Sequence, residues 1–370
     1  MHRLGTLVVA LAAAAVLLVL ASPAVASGGG RGGGAVYTLT NAASGNAVAV
    51  FDRAPDGSLT PDGTVSTGGA GTGAGLGSQG ALVLDHDRLF AVNAGSNTIS
   101  LLKAGRGKVR LADVAPSGGA RPISLTVHGR LVYVLNAGDA STPASIHGFV
   151  AVSGHLIPLP GSSRPLSAAA PDPAQVEFSP NGRQLAVTEK ATNMIVTYAV
   201  RFGYAGAPKA QPSAGQTPFG FAFARRGRLI VSEAFGGAPD ASVLSSYALA
   251  GDGTITPITP NVATTETAAC WVVVTKNGRY TYTTNTGSAS ISGFRIADDG
   301  GLTLLDAGGK TATTGAGPID LALTKGSRFL YSLNSGVPEV QGFAVNADGS
   351  LDSLGSVGGL PAGSVGLAAS

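Results

Sequence analysis

Arg328-Phe-Leu-Tyr-Ser-Leu-Asn334 is a strand-length apolar run led by an arginine and closed by an asparagine, and near-copies of it recur along the whole chain. They read Arg88-Leu-Phe-Ala-Val-Asn93, Arg130-Leu-Val-Tyr-Val-Leu-Asn136, Arg183-Gln-Leu-Ala-Val-Thr-Glu189, Arg228-Leu-Ile-Val-Ser-Glu233 and Arg279-Tyr-Thr-Tyr-Thr-Thr-Asn285. A seventh, Val36-Tyr-Thr-Leu-Thr-Asn41, lacks the leading arginine. The closing Asn or Glu returns every 43 to 53 residues, the period at which one propeller blade follows another. A ring of like units carries its function on a face or in its channel.

Residues 318 to 354 show how one repeat becomes a blade. Pro318-Ile-Asp-Leu-Ala-Leu-Thr324 alternates with period two, Lys325-Gly-Ser-Arg328 turns it, and Phe329 to Asn334 returns. Glu339 to Val345 reads as a third strand, Asn346-Ala-Asp-Gly349 as a hairpin signal, and Ser350 to Ser356 as a fourth strand. Asp56-Gly57, Asp252-Gly253 and Asp299-Gly300 repeat that hairpin signal. They are turns and not calcium loops, because the alternating acidic ligands and distal Glu are missing.

The chain ends close the ring. Ser364-Val-Gly-Leu-Ala368 aligns with Asp320-Leu-Ala-Leu-Thr324 as a lone first strand, and Val36 to Ser66 supplies strands two to four. The expected fold is all-β: a seven-bladed β-propeller of four-stranded antiparallel blades over residues 35–370, closed by a blade shared between the N- and C-termini. Sharing a blade removes the free sheet edge on which a ring opens or aggregates.

Before the ring, Met1 to Ala26 has the layout of a secretory signal: His2 and Arg3, an apolar run from Leu4 to Ala21, and an Ala24-Val25-Ala26 cleavage site. Residues 27–34 read as a Gly-rich linker, and the mature chain as secreted or extracytoplasmic. An uncleaved N-terminal anchor is the competing reading of the same run. Charged residues are only 12% of the chain, against 55 Gly and 21 Pro, a mixture suited to short strands and tight turns. With a formal charge of +3 and no clustering of Lys and Arg, the sequence offers no nucleic-acid surface. Cys270 is the single cysteine, so no intrachain disulfide forms, and its apolar setting reads as that of an inert buried thiol.

Antiparallel alternation places the starts of all first strands and the turns after all second strands on one face. The expected polar set there is Asn93, Asn136, Glu189, Lys190, Glu233, Asn285 and Asn334, with Gln79, Arg121, Gln175 and Asp320 near the strand starts. Asn readily takes turn geometry, which gives those positions a structural reading as well. Glu does not, so Glu189 and Glu233 stand out as carboxylates able to bind a cation, share a proton or simply sit solvated on the rim. Gly75-Leu-Gly77-Ser-Gln-Gly80 fits a dinucleotide fingerprint formally, yet it precedes a strand and opens no helix.

Phe178-Ser-Pro-Asn-Gly-Arg183, Tyr133-Val-Leu-Asn136 and Phe343-Ala-Val-Asn-Ala-Asp-Gly-Ser-Leu351 resemble the lactonase-type seven-bladed propellers, relatives of 6-phosphogluconolactonase and carboxymuconate cyclase, and YVTN repeat proteins. The resemblance covers residues 35 to 370. It implies a Pro-Arg-His phrase on a first strand and a Glu just after the closing Asn of the next strand. Ala174 and Gln175 stand at the Arg and His positions, and Lys190 at the Glu position. Two functions follow as expectations. One is a non-catalytic or catalytically divergent binding protein that holds an unknown small molecule, glycan or cell-envelope protein through Asn136, Lys190, Asn285, Gln175 and Asp320. The other is a lactone hydrolase or lactonising enzyme with Glu189 or Glu233 as base, and Arg121 or Lys190 steadying the oxyanion. Either is expected as a monomer without metal, cofactor, nucleic-acid or, after signal cleavage, membrane partner.

Overall fold

The structure, a computed structural model, describes residues 33–105 and 108–370. The expected signal segment and residues 27–32 of the linker lie outside the described residues, and Gly34 already opens the first strand. Seven antiparallel sheets follow one another around a ring. Their inner strands are Val365–Ala369 in blade 1, Leu82–Asp85 in blade 2, Pro122–His128 in blade 3 and Pro173–Phe178 in blade 4. Pro218–Phe223, Ala269–Val274 and Pro318–Leu323 serve blades 5, 6 and 7.

The quoted repeats are the second strands, and their composition follows from their place. Leu131–Asn136, Gln184–Glu189 and Tyr280–Asn285 are buried along almost their whole length, covered on both faces by adjacent blades, so the first is apolar from Leu131 to Leu135 and the last buries its threonines as fully as its tyrosines. Outer strands such as Leu59–Ser66 and Ile255–Ala263 meet solvent and are largely exposed or half-buried. In blades 3, 4 and 6 the outer strand is broken into two short pieces. Pro160 and Pro208 fall in two of the gaps, where a residue without an N–H cannot extend the ladder.

Neighbouring blades are fastened by buried tyrosines. Tyr133, Tyr282 and Tyr331 donate hydroxyl hydrogen bonds to Gly203 O (3.0 Å), Gly349 O (2.9 Å) and Gly57 O (2.7 Å) of the following blade. Gly57 and Gly349 sit in the Asp-Gly turns with φ of +93° and +94°. A Cβ there would come within 2.6 Å of the Phe329 and Tyr280 rings, so these turns need glycine for conformation and for closeness alike.

Blade 1 is closed from both termini as expected. Val36, Tyr37, Thr38 and Leu39 pair with Ala369, Ala368, Leu367 and Val365. Ser370 N donates to Ala35 O (2.9 Å), Ala35 N to Ser370 Oγ (2.7 Å), Arg53 Nε to Ser370 O (3.2 Å) and Asn41 Nδ2 to Gly363 O (3.1 Å).

Candidate functional site: the central channel

The inner strands all run in one direction relative to the ring, from an upper face where they begin to a lower face that carries the Arg-led and Asp-Gly turns. The inner strands of blades 3 to 7 share a register shift within their first few residues. A bulge re-aims side chains, and here Ala174, Phe219, Cys270 and Trp271 form an apolar cluster at the upper mouth, with Ile319 packed against it. The Phe219 and Trp271 ring centroids are 4.7 Å apart, and Lys190 Nζ lies 5.1 Å from the Phe219 ring.

The Gly-rich segment at residues 75–80 crosses this mouth as a stopper. Ser78 Oγ donates to Ile123 O of blade 3 (2.8 Å), Gln79 N to Ala174 O of blade 4 (3.1 Å), and Trp271 Nε1 of blade 6 to Ser78 O (3.0 Å). Lys190 Nζ donates to Gly77 O (2.8 Å). Gln79 spans to blade 6, where its amide accepts from Val272 N (2.9 Å) and donates to Val272 O (2.7 Å). The segment that fits a nucleotide fingerprint is thus a structural crossing, made possible by left-handed Gly77 and Gly80.

Below the stopper lies a cavity of about 470 Å³ walled by the inner strands. Exposure rises downward: Leu125, Phe221, Val272 and Leu321 are buried, whereas Val127, Phe223, Val274 and Leu323, two residues further along each strand, are half-buried. The cavity therefore opens on the lower face. Gln175 spans to blade 5 as Gln79 does to blade 6, accepting from Phe221 N (2.7 Å) and donating to Phe221 O (2.9 Å). Each amide stands in for the missing strand partner of an inner edge. Gln175 Nε2 also donates to Glu177 Oε2 (3.1 Å). Glu177 is half-buried in the channel wall, and burial pushes its carboxyl up to about 8. Asp320, 2% exposed, accepts from Leu321 N (2.8 Å), and burial holds its carboxyl well above the usual range. Among the described residues, no Lys, Arg or His lines this cavity.

Of the residues singled out in the sequence, Gln79, Gln175 and Asp320 reach the channel together. The Asn/Glu register lies elsewhere. Glu189 is fully buried and accepts from Ser167 N (2.9 Å), Ser167 Oγ and Thr192 Oγ1 (2.6 Å). Glu233, also fully buried, accepts from Ser213 Oγ (2.8 Å), Tyr247 Oη (2.8 Å), Ser245 Oγ (2.7 Å) and Gly215 N (3.3 Å), and burial raises its carboxyl. Asn93 Nδ2 and Asn285 Nδ2 instead donate to Ser100 Oγ (2.8 Å) and Ser292 Oγ (2.8 Å) of their own third strands. This register latches the end of the second strand to the third strand in blades 2, 5, 6 and 7 and, in blades 1 to 5, to the segment before the inner strand. Asn136 Nδ2 donates to Ser117 O (3.3 Å), and Asn136 Oδ1 and Asn285 Oδ1 are buried without a partner among the described residues. Arg121 is exposed in a left-handed turn before its strand, its N–H bound to Asn97 Oδ1 (2.7 Å). Lys190 lies at the upper mouth, also 3.3 Å from Asp172. Among the described residues no cluster of His, Cys, Asp and Glu has the makings of a metal centre. Glu177 carried no mark in the sequence.

Residues 242–363 match the family described as "Lactonase, 7-bladed beta-propeller". No curated protein matches the chain. The fold is shared with the periplasmic gluconolactonase PpgL of Pseudomonas aeruginosa, at 18% identity and a TM-score of 0.68 over 89% of this chain and 98% of that one. A candidate 6-phosphogluconolactonase of Bacteroides uniformis superposes with a TM-score of 0.71 at 18% identity, over 90% and 99% of the two chains. A Lactobacillus plantarum protein does so with 0.71 at 17% identity, over 91% and 99%. The chain is a seven-bladed β-propeller, similar over residues 242–363 to the lactonase propeller family.

Proposed function

We propose that the protein hydrolyses an uncharged lactone in the lower half of its channel, outside the cytoplasm, with Glu177 handling the proton. The observation that carries this reading is the Glu177 carboxyl held by Gln175 against a solvent-open cavity large enough for a sugar lactone, a setting that raises its affinity for a proton. A group titrating near neutrality serves as both base and acid. As carboxylate, Glu177 takes a proton from water while the water oxygen bonds to the lactone carbonyl carbon. The tetrahedral intermediate then expels the ring oxygen, which takes that proton back from Glu177, leaving an open-chain hydroxy acid. Strand alternation turns the N–H groups of Phe223 and Val274 toward the channel, two residues on from Phe221 and Val272, as donors for the oxyanion.

The charge of the lining restricts the substrate. Glu177 and Asp320 face the cavity with no cation beside them, so the charge of a phosphorylated or carboxylated lactone would have no counter-charge there. The propeller relatives with lactonase names support the reaction class, and the periplasmic one supports the location.

The test is base uptake at constant pH with glucono-lactone and γ-lactones as substrates. Hydrolysis faster than the spontaneous rate is expected, falling by about 10²-fold or more in Glu177→Gln. Wild-type rates equal to the buffer blank, or an undiminished variant, would reject the proposal. The stopper over the upper mouth, with Ala174 and Gln175 where the resemblance implies Arg and His, favours a second reading in which the channel retains a small molecule or glycan end without turnover. That reading expects saturable binding of the same lactones with no base uptake.

A further inference from the structure

The turn Arg201-Phe202-Gly203-Tyr204 of blade 4 stands out from the lower face. Phe202 is 101% exposed with φ of +51°, and Tyr204 is 40% exposed. The turn is held rigidly in this position: Tyr133 Oη donates to Gly203 O (3.0 Å) and accepts from Ala205 N (2.8 Å). It also meets an apolar strip on blade 3. A Cβ at Gly203 would stand 3.0 Å from Leu131, Leu131 is paired with Val150, and Val150 with Ile157, which is 50% exposed. Residues directly opposite in antiparallel strands share a sheet face, so Leu131, Val150 and Ile157 continue the surface begun by Phe202.

Exposed arginines rim this strip. Arg201 pairs with Tyr204 across the turn, Arg183 O accepts from Val200 N (2.7 Å), and Arg130 precedes Leu131. The segments that build the patch, 128–133, 150–158, 179–184 and 199–206, contain no Asp or Glu. None of the three arginines belongs to an ion pair among the described residues.

From this juxtaposition we infer that the lower rim of blades 3 and 4 docks on an anionic lipid surface, with Phe202 inserted among the acyl chains and Arg130, Arg183 and Arg201 against the headgroups. A projecting aromatic tip ringed by cations has no groove to receive a rigid partner, whereas a fluid bilayer closes around such a tip. The assignment is independent of the chemistry in the channel, and it revises the expectation that the mature chain has no membrane partner.

The test is flotation of the propeller, residues 33–370, which closes its own ring, with vesicles of phosphatidylcholine alone or mixed with phosphatidylglycerol. Co-flotation with the mixed vesicles only, reversed by salt, is expected. Phe202→Asn removes the ring while keeping a residue that tolerates left-handed φ, so its melting temperature should match wild type and its partitioning should fall about tenfold. Arg183→Gln with Arg201→Gln should abolish the preference for phosphatidylglycerol. Absence of flotation, or a Phe202→Asn protein that floats like wild type, overturns the inference. Binding to soluble poly-glutamate without flotation also overturns it, making the arginines a polyanion site instead.

Discussion

Deleting residues 364–370 removes the inner strand of blade 1 and leaves Gly34–Leu39 as an open edge. The deleted segment buries Val365, Leu367 and Ala368 at 4 to 6% exposure and forms four register pairs with the second strand. Burial of one valine and one leucine contributes about 4 to 5 kcal/mol, and four ladder bonds at about 1 kcal/mol each add a similar amount. The sum, about 8 kcal/mol, rivals the whole stability of an ordinary domain. An unfolding entropy of about 2.1 cal/mol/K per residue over this ring converts that loss to a melting temperature lower by about 11 °C. Differential scanning calorimetry of the propeller with and without the segment measures it, and light scattering on heating reports the exposed edge. Leu367→Ala, a graded version, should cost about 2 to 5 kcal/mol. Melting temperatures within about 2 °C of one another for the intact and deleted rings would show that closure through this strand does not hold the ring together, against the roughly 11 °C expected.

Glu177, Asp320 and Glu233 are all pushed above their ordinary range by burial, so the folded chain holds their protons more tightly than the unfolded chain does. Stability should then be greatest in mild acid and fall as pH rises from the ordinary value of 4.5 toward about 8, with a shallower slope in Glu177→Gln. Melting temperatures that climb from pH 5.5 to 8.5 would contradict this. Gly220→Ala would bring a Cβ to 2.3 Å from Gln79 Oε1 and 2.4 Å from Cys270 O, and should lose about 1 to 3 kcal/mol by denaturant titration. Unchanged stability would mean that the stopper is loosely held. Cys270, buried and pushed up to about 12, should resist a thiol reagent until the chain is denatured, and rapid labelling of native protein would place it outside the core.

The ring was legible because two-sided burial writes itself into sequence: a run such as Leu131 to Leu135 can be apolar throughout only where both faces are covered. The split blade was legible for the same reason, since Ser364 to Ala368 has no strand of its own to follow. The channel was not. Glu177 sits in Val176-Glu-Phe178 as one polar residue of an ordinary alternation, and only closure of the ring turns that edge inward. Gln79 lies in a segment whose composition announces a loop and conceals that its amide reaches residue 272. Glu189 and Glu233 drew attention as poor turn formers, yet their partners Ser167, Ser213 and Tyr247 lie 14 to 22 residues away, a distance over which local chemistry gives no warning. The shared bulge at the inner-strand starts leaves only a proline or alanine as its trace.

The stopper fastened by Ser78 and Gln79 makes the channel a blind well. Whatever enters must leave by the same opening, so incoming and outgoing molecules share one lane, and an anion in the well meets no lining cation to hold it there. Access is then governed from outside the well: any association that covers the lower face puts a cap on it, silencing the interior without moving an atom inside.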